Sequence, residues 1–238
     1  KFAIIDSGST VSECSTGVIQ SNTDYFKIKA WTPVALDLNG DGKIGVTGQT
    51  SSFDKSGVTE IGKTVQFDIN ADGKLDTIEW FKGDGDGILV DATKIGADGK
   101  IDGSALFGDE GGQFNNGYEK LALLDANGDG KLAGDELQTI KVWMDNGDAI
   151  LQDGELKSLA DAGVAEISTK MEMTTDASGY HLMQSTATAT DGSTILTEDV
   201  WFASAHDGHQ AQMGHDAPVD MAAAPHVDDA AHHLQHAA

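Results

Sequence analysis

Two twelve-residue stretches, DINADGKLDTIE at 68–79 and DANGDGKLAGDE at 125–136, constrain this chain more than any other feature. Each carries a side-chain oxygen at its first, third and fifth residues, glycine at the sixth, leucine at the eighth and glutamate at the twelfth. Neither can run through as one helix or one strand. Asp and Asn bond their own backbone in turns, and glycine accepts the positive φ that a sharp turn needs. Oxygens on alternate residues, closed by a bidentate carboxylate, are what a hard divalent cation such as Ca²⁺ requires. In the first stretch Asp68, Asn70 and Asp72 are the candidate side-chain ligands, Lys74 offers its carbonyl, Asp76 stands where a water is held, and Glu79 closes. In the second, Asp125, Asn127, Asp129, the Lys131 carbonyl and Glu136 take the same parts.

Three further segments are degenerate versions. DLNGDGKIGVTG supplies Asp37, Asn39, Asp41 and the Lys43 carbonyl, but Gly48 stands where the closing acid belongs, so a ligand must come from elsewhere. DNGDAILQDGE, from Asp145 to Glu155, is one residue short and has Ala149 in place of the turn glycine; Asp145, Asn146, Asp148 and Glu155 are its candidate ligands. The stretch after Gly83 offers Asp84, Asp86, Asp91, Asp98 and Asp102 without a continuous frame, and Asp98 and Asp102, with Asp109, are candidates for one irregular site. About three or four Ca²⁺ are expected in all.

The charge agrees with a cation as the partner. Fifteen lysines, no arginine, 29 Asp and 10 Glu give −24. Binding a phosphate backbone needs a cationic face, so nucleic acid is excluded. Carboxylates crowded into one loop repel each other until a divalent ion joins them, so folding is expected to depend on calcium. No apolar run approaches the ~18 residues of a membrane span. One cysteine, Cys14, excludes an internal disulfide framework.

Along the chain, residues 1–32 alternate in short bursts and read as an N-terminal β segment of two or three strands. Residues 33–205 form the expected calcium-binding domain, α+β in class, with short helices and strands organised around EF-hand-like loops. Helices are expected at YEKLALL (118–124), at ELQTIKVW (136–143, extended near Val142) and at GELKSLADAG (154–163, capped by Gly163). A three-stranded β-meander follows, with turns at Asp176–Gly179 and Asp191-Gly192. Residues 206–238, rich in Ala, Asp and His, read as a disordered tail. It holds seven of the eight histidines, His206, His209, His215, His226, His232, His233 and His236, which could take Zn²⁺ or Ni²⁺.

The order of the pieces is more specific than the loops alone. TPVALDLNGDGKI, FDINADGKLDTIEW, DGILVD, GKIDGSALFGD, GYEKLALLDANGDGKL, IKVWMDNGD, GELKSLADAGVAEI and DGSTILTEDVWFA resemble the calcium-dependent self-processing module of iron-regulated RTX proteins and related calcium-binding regions of large secreted bacterial proteins. The resemblance spans roughly 33–203 and implies a compact α+β unit holding several calcium ions, in a protein secreted by or displayed on a bacterium, with a protein or cell-surface partner that it does not identify. It also implies cleavage of an Asp-Pro bond ahead of the first loop, through an anhydride formed by that Asp. Here the pair is Thr32-Pro33, and Pro218 and Pro225 follow alanines, so the chain has no Asp-Pro bond. The expectation is a calcium-folded structural or interaction module, not an enzyme. Calcium-triggered autoprocessing and metal buffering by the Asp loops and the His-rich tail are the alternatives.

One further motif merits weighing. FAIIDSGST resembles the way an aspartic protease presents a catalytic carboxylate, with Asp6 in that place. Such catalysis needs two carboxylates sharing a proton, and a second Asp-Ser/Thr-Gly is absent from the sequence.

Overall fold

VAL at 34–36, GILV at 87–90 and IKVW at 140–143 are near-continuous apolar runs, the signature of strands buried on both faces. The computed structural model describes residues 16–21, 24–55 and 57–205, with side chains from Trp31 to Ser204. Asp6, Cys14, the proposed tail with its seven histidines, and the Pro218 and Pro225 bonds lie outside the described residues. Val34–Leu36 (β3), Gly87–Asp91 (β6) and Ile140–Trp143 (β8) lie side by side in one antiparallel sheet. Alternation sends Val34, Leu36, Leu89 and Val142 into one core with Tyr118 and Leu132, and Ala35, Ile88, Val90 and Trp143 into a second with Trp80. In that second core Trp80 packs against Phe67, Phe202, Phe81 and Trp143, with ring centroids 4.8, 5.3, 5.5 and 6.0 Å away.

The remaining strands are Thr16–Ser21 (β1), Asp24–Trp31 (β2), Thr64–Phe67 (β4), Asp76–Glu79 (β5), Lys131–Ala133 (β7), Leu156–Ser158 (β9), Val164–Ser168 (β10), Glu172–Thr175 (β11), His181–Ala189 (β12), Thr194–Asp199 (β13) and Phe202–Ala205 (β14). The larger sheet runs β7-β10-β12-β13-β3-β6-β8-β9, with β11 paired to β12; the smaller runs β1-β2-β14-β5-β4. The chain passes between the sheets four times, at β2–β3, β3–β4, β5–β6 and β13–β14, and the first and last of these crossings are adjacent. Thr32-Pro33 joins β2 to β3, Val200-Trp201 joins β13 to β14, and the Val200 amide donates to the Pro33 carbonyl at 3.0 Å.

The α+β expectation is overturned. The described chain is mostly antiparallel β, with a single α-helix, Gly117–Leu121 (α1), and short 3₁₀ turns. YEKLALL does supply that helix, which Asn116 caps by accepting the Glu119 amide at 3.0 Å and which passes into a 3₁₀ turn at Ala122–Leu124. ELQTIKVW is instead one 3₁₀ turn, Gly134–Leu137, followed by β8, whose residues pair with β6 and β9. GELKSLADAG becomes β9 and a turn in which the Ser158 hydroxyl accepts the Asp161 amide. Isolated helices under about 12 residues are marginal, and these segments gain more by pairing with strands already buried. Gly163 therefore has no helix to cap; with φ 76° it ends the turn that leads into β10. The meander forms with both turns in place, the Gly179 amide donating to Asp176 O and the Gly192 amide to Ala189 O.

Candidate functional site: acidic loops and an inter-sheet joint

Three loops share one hydrogen-bond scheme. At 125–131, Asp125 Oδ1 accepts the amides of Gly128 (2.8 Å) and Asp129 (3.2 Å), and Oδ2 accepts Gly130 (2.8 Å). Asn127 Oδ1 then accepts the Asp129 amide and Asp129 Oδ1 the Lys131 amide. At 37–43 the same bonds run from Gly40, Asp41 and Gly42 to Asp37, from Asp41 to Asn39 and from Lys43 to Asp41. At 68–74 they run from Asp72 and Gly73 to Asp68, from Asp72 to Asn70 and from Lys74 to Asp72. The turn glycines Gly42, Gly73 and Gly130 have φ of 86°, 83° and 87°, which a side chain would strain. The internal repeat read in the sequence is therefore a repeat of backbone geometry.

The closing acids behave differently. Glu136 folds back on its own loop, Oε1 accepting the amides of Ala126 and Asn127 and Oε2 that of Ala133. Glu79, at the same repeat position, is 1% exposed; it accepts the amides of Gly62 at 2.9 Å and Ala203 at 3.0 Å, with Lys55 Nζ 3.9 Å away. Lys55 is equally buried and donates to the carbonyls of Thr50 and Trp201, both at 2.7 Å; burial pulls its amine down to about 8, against the opposing pull of Glu79. The Glu79 carboxylate also fills the space beside Gly48, where a Cβ would lie 2.4 Å from it. Asp76 starts β5, opposite Phe67.

In the short loop, Asp145 Oδ2 accepts Trp80 Nε1 at 2.7 Å and the Gly147 amide at 2.9 Å, while burial raises its carboxyl above the ordinary range. Ala149 has φ 61°, so alanine holds the left-handed turn that glycine holds elsewhere. Asp148 accepts from the Ile150 amide and Gln152 Nε2, Glu155 from the Gln152 amide and Trp143 Nε1, and the Asn146 backbone packs so tightly on Gly83 that a Cβ there would lie 2.1 Å from it. Asp98 and Asp102 are not brought into a common frame: Asp98 pairs with Lys100 at 2.9 Å, and Asp102 caps a 3₁₀ turn through the Ser104 amide. Among the described residues, no three His, Cys, Asp or Glu side chains come together as a ready metal cage.

The model of the SPM domain matches residues 34–203. This chain belongs to the SPM domain family. Membership is compatible with a self-processing module. No curated protein matches the chain.

The SPM match begins just after the Thr32-Pro33 joint, and the fold holds that joint from several sides. The Thr32 hydroxyl donates to Asp199 Oδ1, and Asp199 Oδ2 accepts the Gly117 amide at 3.2 Å. Asp199 has no exposed surface; burial above all, with Asp109 and Glu198 adding repulsion, pushes its carboxyl up to about 7. Pro33 pairs with Gly108, whose Cα lies so close that a Cβ would sit 1.6 Å from the Thr32 carbonyl oxygen. Sequence reasoning missed Asp199 and Lys55. The one available signal was ILTEDVWFA, where two acids interrupt a strand of buried type.

Proposed function

We propose that this SPM domain is a calcium-binding module, folded by its ions, that serves as a structural or interaction part of a secreted or surface-exposed bacterial protein and does not cut its own chain. The observation that carries the reading is the hydrogen-bond scheme repeated at 37–43, 68–74 and 125–131, which fixes the first, third and fifth residues of each loop in one arrangement. The residues fit the ion. The donors are all oxygens, as Ca²⁺ prefers, and Glu136 brings the twelfth position of its loop back to the second and third. Bound calcium would supply positive charge that offsets repulsion among the loop carboxylates. The donors are not yet gathered into a cage, so binding would draw the loops inward and couple the ion to folding.

Native mass spectrometry of the full chain across a calcium titration tests this, with three or four ions expected. Chelation is expected to collapse the near-ultraviolet dichroism of Trp31, Trp80, Trp143 and Trp201, all buried. A chain that binds no calcium and melts at the same temperature in EDTA overturns the reading.

Calcium-triggered self-processing is the second reading, favoured by one observation: a buried carboxyl, Asp199, sits on the Thr32 hydroxyl beside Pro33. Against it, residue 32 itself has no carboxylate with which to attack its own carbonyl.

A further inference from the structure

We propose that the cleft between residues 44–51 and the β11–β12 turn binds a small zwitterion, an aliphatic amino acid, with its ammonium group on Glu198 and its carboxylate toward Lys43 and Lys82. The site goes beyond the calcium reading and does not rest on it. The cleft holds about 300 Å³, at the lower end of what takes a small molecule. Two long-range bonds build it. The Ser52 hydroxyl donates to the His181 carbonyl at 2.6 Å and the Trp201 amide to the Ser51 carbonyl at 2.9 Å, which pins the 44–51 segment beside β12 and the end of β13. Glu198 lies on β13 between Gln184 of β12 and Ala35 of β3. Alternation turns it away from Thr197 and Asp199, which bond to Tyr118 and Gly117 of α1, and Glu198 lines the cleft instead.

The Glu198 carboxylate is where a ligand is called for. Glu198 is 1% exposed; Oε2 accepts Gln184 Nε2 at 2.8 Å, whereas Oε1 is buried with no hydrogen-bond partner. Burial raises this carboxyl against the opposing pull of Ser51, Gln184 and Lys55, and Asp176, another lining residue, adds repulsion. Lys55 gives its hydrogen bonds to the Thr50 and Trp201 carbonyls instead. A buried carboxylate oxygen left bare is costly, and an ammonium group supplies both the missing donor and the opposing charge. Lys43 and Lys82, both exposed, belong to the same lining, so a simple cation meets repulsion there and a carboxylate attraction. Ile44, Val46 and Leu182 add apolar wall for an aliphatic side chain. Ammonium, carboxylate and a short apolar group together make an amino acid.

L-leucine is titrated into the full chain in calcium-saturated buffer, and the amides of Ser51, Ser178 and Leu182 are followed by NMR. Saturable shifts are expected with L-leucine. N-acetyl-leucine, which lacks the ammonium group, should give none, and leucinamide, which lacks the carboxylate, should bind more weakly. Glu198→Gln preserves the size of the side chain and should weaken leucine binding about tenfold or more, the loss of a charge-assisted bond. The absence of saturable shifts with L-leucine on wild type overturns the site, as does equal binding of N-acetyl-leucine. Equal binding of leucinamide overturns the zwitterion, and wild-type affinity in a Glu198→Gln chain that keeps its near-ultraviolet dichroism overturns the role of Glu198. Where Glu198→Gln does not fold, the ligand series on wild type decides.

Discussion

Asp199 accepts the hydroxyl hydrogen of Thr32 at the point where the chain passes twice between the two sheets. The contact ties the β2–β3 crossing to the end of β13, next to the bond from the Val200 amide to the Pro33 carbonyl. The hydroxyl is a far weaker nucleophile than a carboxylate, and its attack on its own carbonyl would close a strained four-membered ring. Wild type is therefore expected to remain intact when calcium is added, by intact-mass measurement. Thr32→Asp restores a carboxylate at this joint and should release residues 1–32. A wild-type product ending at Thr32 would refute the non-enzymatic reading, and a silent Thr32→Asp would show that more than one residue of the reaction has been lost.

The same carboxyl sets a pH dependence. Asp199 is raised to about 7 in the folded chain, against about 3.9 unfolded. Between those values the folded state holds more protons than the unfolded one, so stability falls as pH rises, by at most about 1.4 kcal/mol per pH unit from this group. Glu198 and Asp145, both raised by burial, act in the same direction. Lys55, lowered to about 8, contributes only above that pH and with the opposite slope. Urea unfolding in EDTA between pH 4.5 and 7 should give a shallower slope for Asp199→Asn than for wild type. Parallel slopes would place the titration elsewhere.

Glu79 and Glu136 occupy equivalent places in their loops, yet opposite consequences are expected for their replacement. Glu79 is sealed in the core with Lys55 and two backbone amides, so Glu79→Gln should lower the melting temperature with or without calcium and leave the ion count unchanged. Lys55→Met strands the buried carboxylate, at a cost of about 3–5 kcal/mol. Glu136 faces its own loop, and Glu136→Gln should remove one ion with a small effect on the stability of the calcium-free chain. Ion counting combined with melting in EDTA separates the two. Loss of an ion in Glu79→Gln would mean that calcium competes with Lys55 for this acid.

The loops were legible in the sequence because their chemistry is local: each first-position Asp bonds amides three to five residues ahead, and spacing alone predicts that. The meander was legible for the same reason, its turns being fixed by Asp176–Gly179 and Asp191-Gly192. Long-range pairing was not. ELQTIKVW satisfies helical spacing as well as it satisfies a strand, and only the presence of β6 opposite Ile140–Trp143 decides between them. The fate of Glu79 was hidden likewise, since its partners Lys55, Gly62 and Ala203 lie up to 124 residues away. Asp84 lacked a frame of its own because the residues it approaches, Asn39 and Gly45, belong to another loop.

The eighth residue of each repeated loop separates loops docked on the core from one that is not. Ile44 is 5% exposed and Leu132 0%, whereas Leu75 is 64% exposed. Leu132 pairs through β7 with Ile167 and packs among Leu89, Tyr118 and Val164, so truncating it leaves a cavity in a close-packed core. Leu132→Ala should cost about 2–5 kcal/mol. Leu75 has little apolar surface buried against the protein, and Leu75→Ala should change stability by less than about 0.5 kcal/mol. Both values come from urea denaturation in saturating calcium, where any difference in ion affinity is suppressed. A cost above about 2 kcal/mol for Leu75→Ala would mean that calcium draws the 68–79 loop onto the core, burying the leucine as its two counterparts are buried.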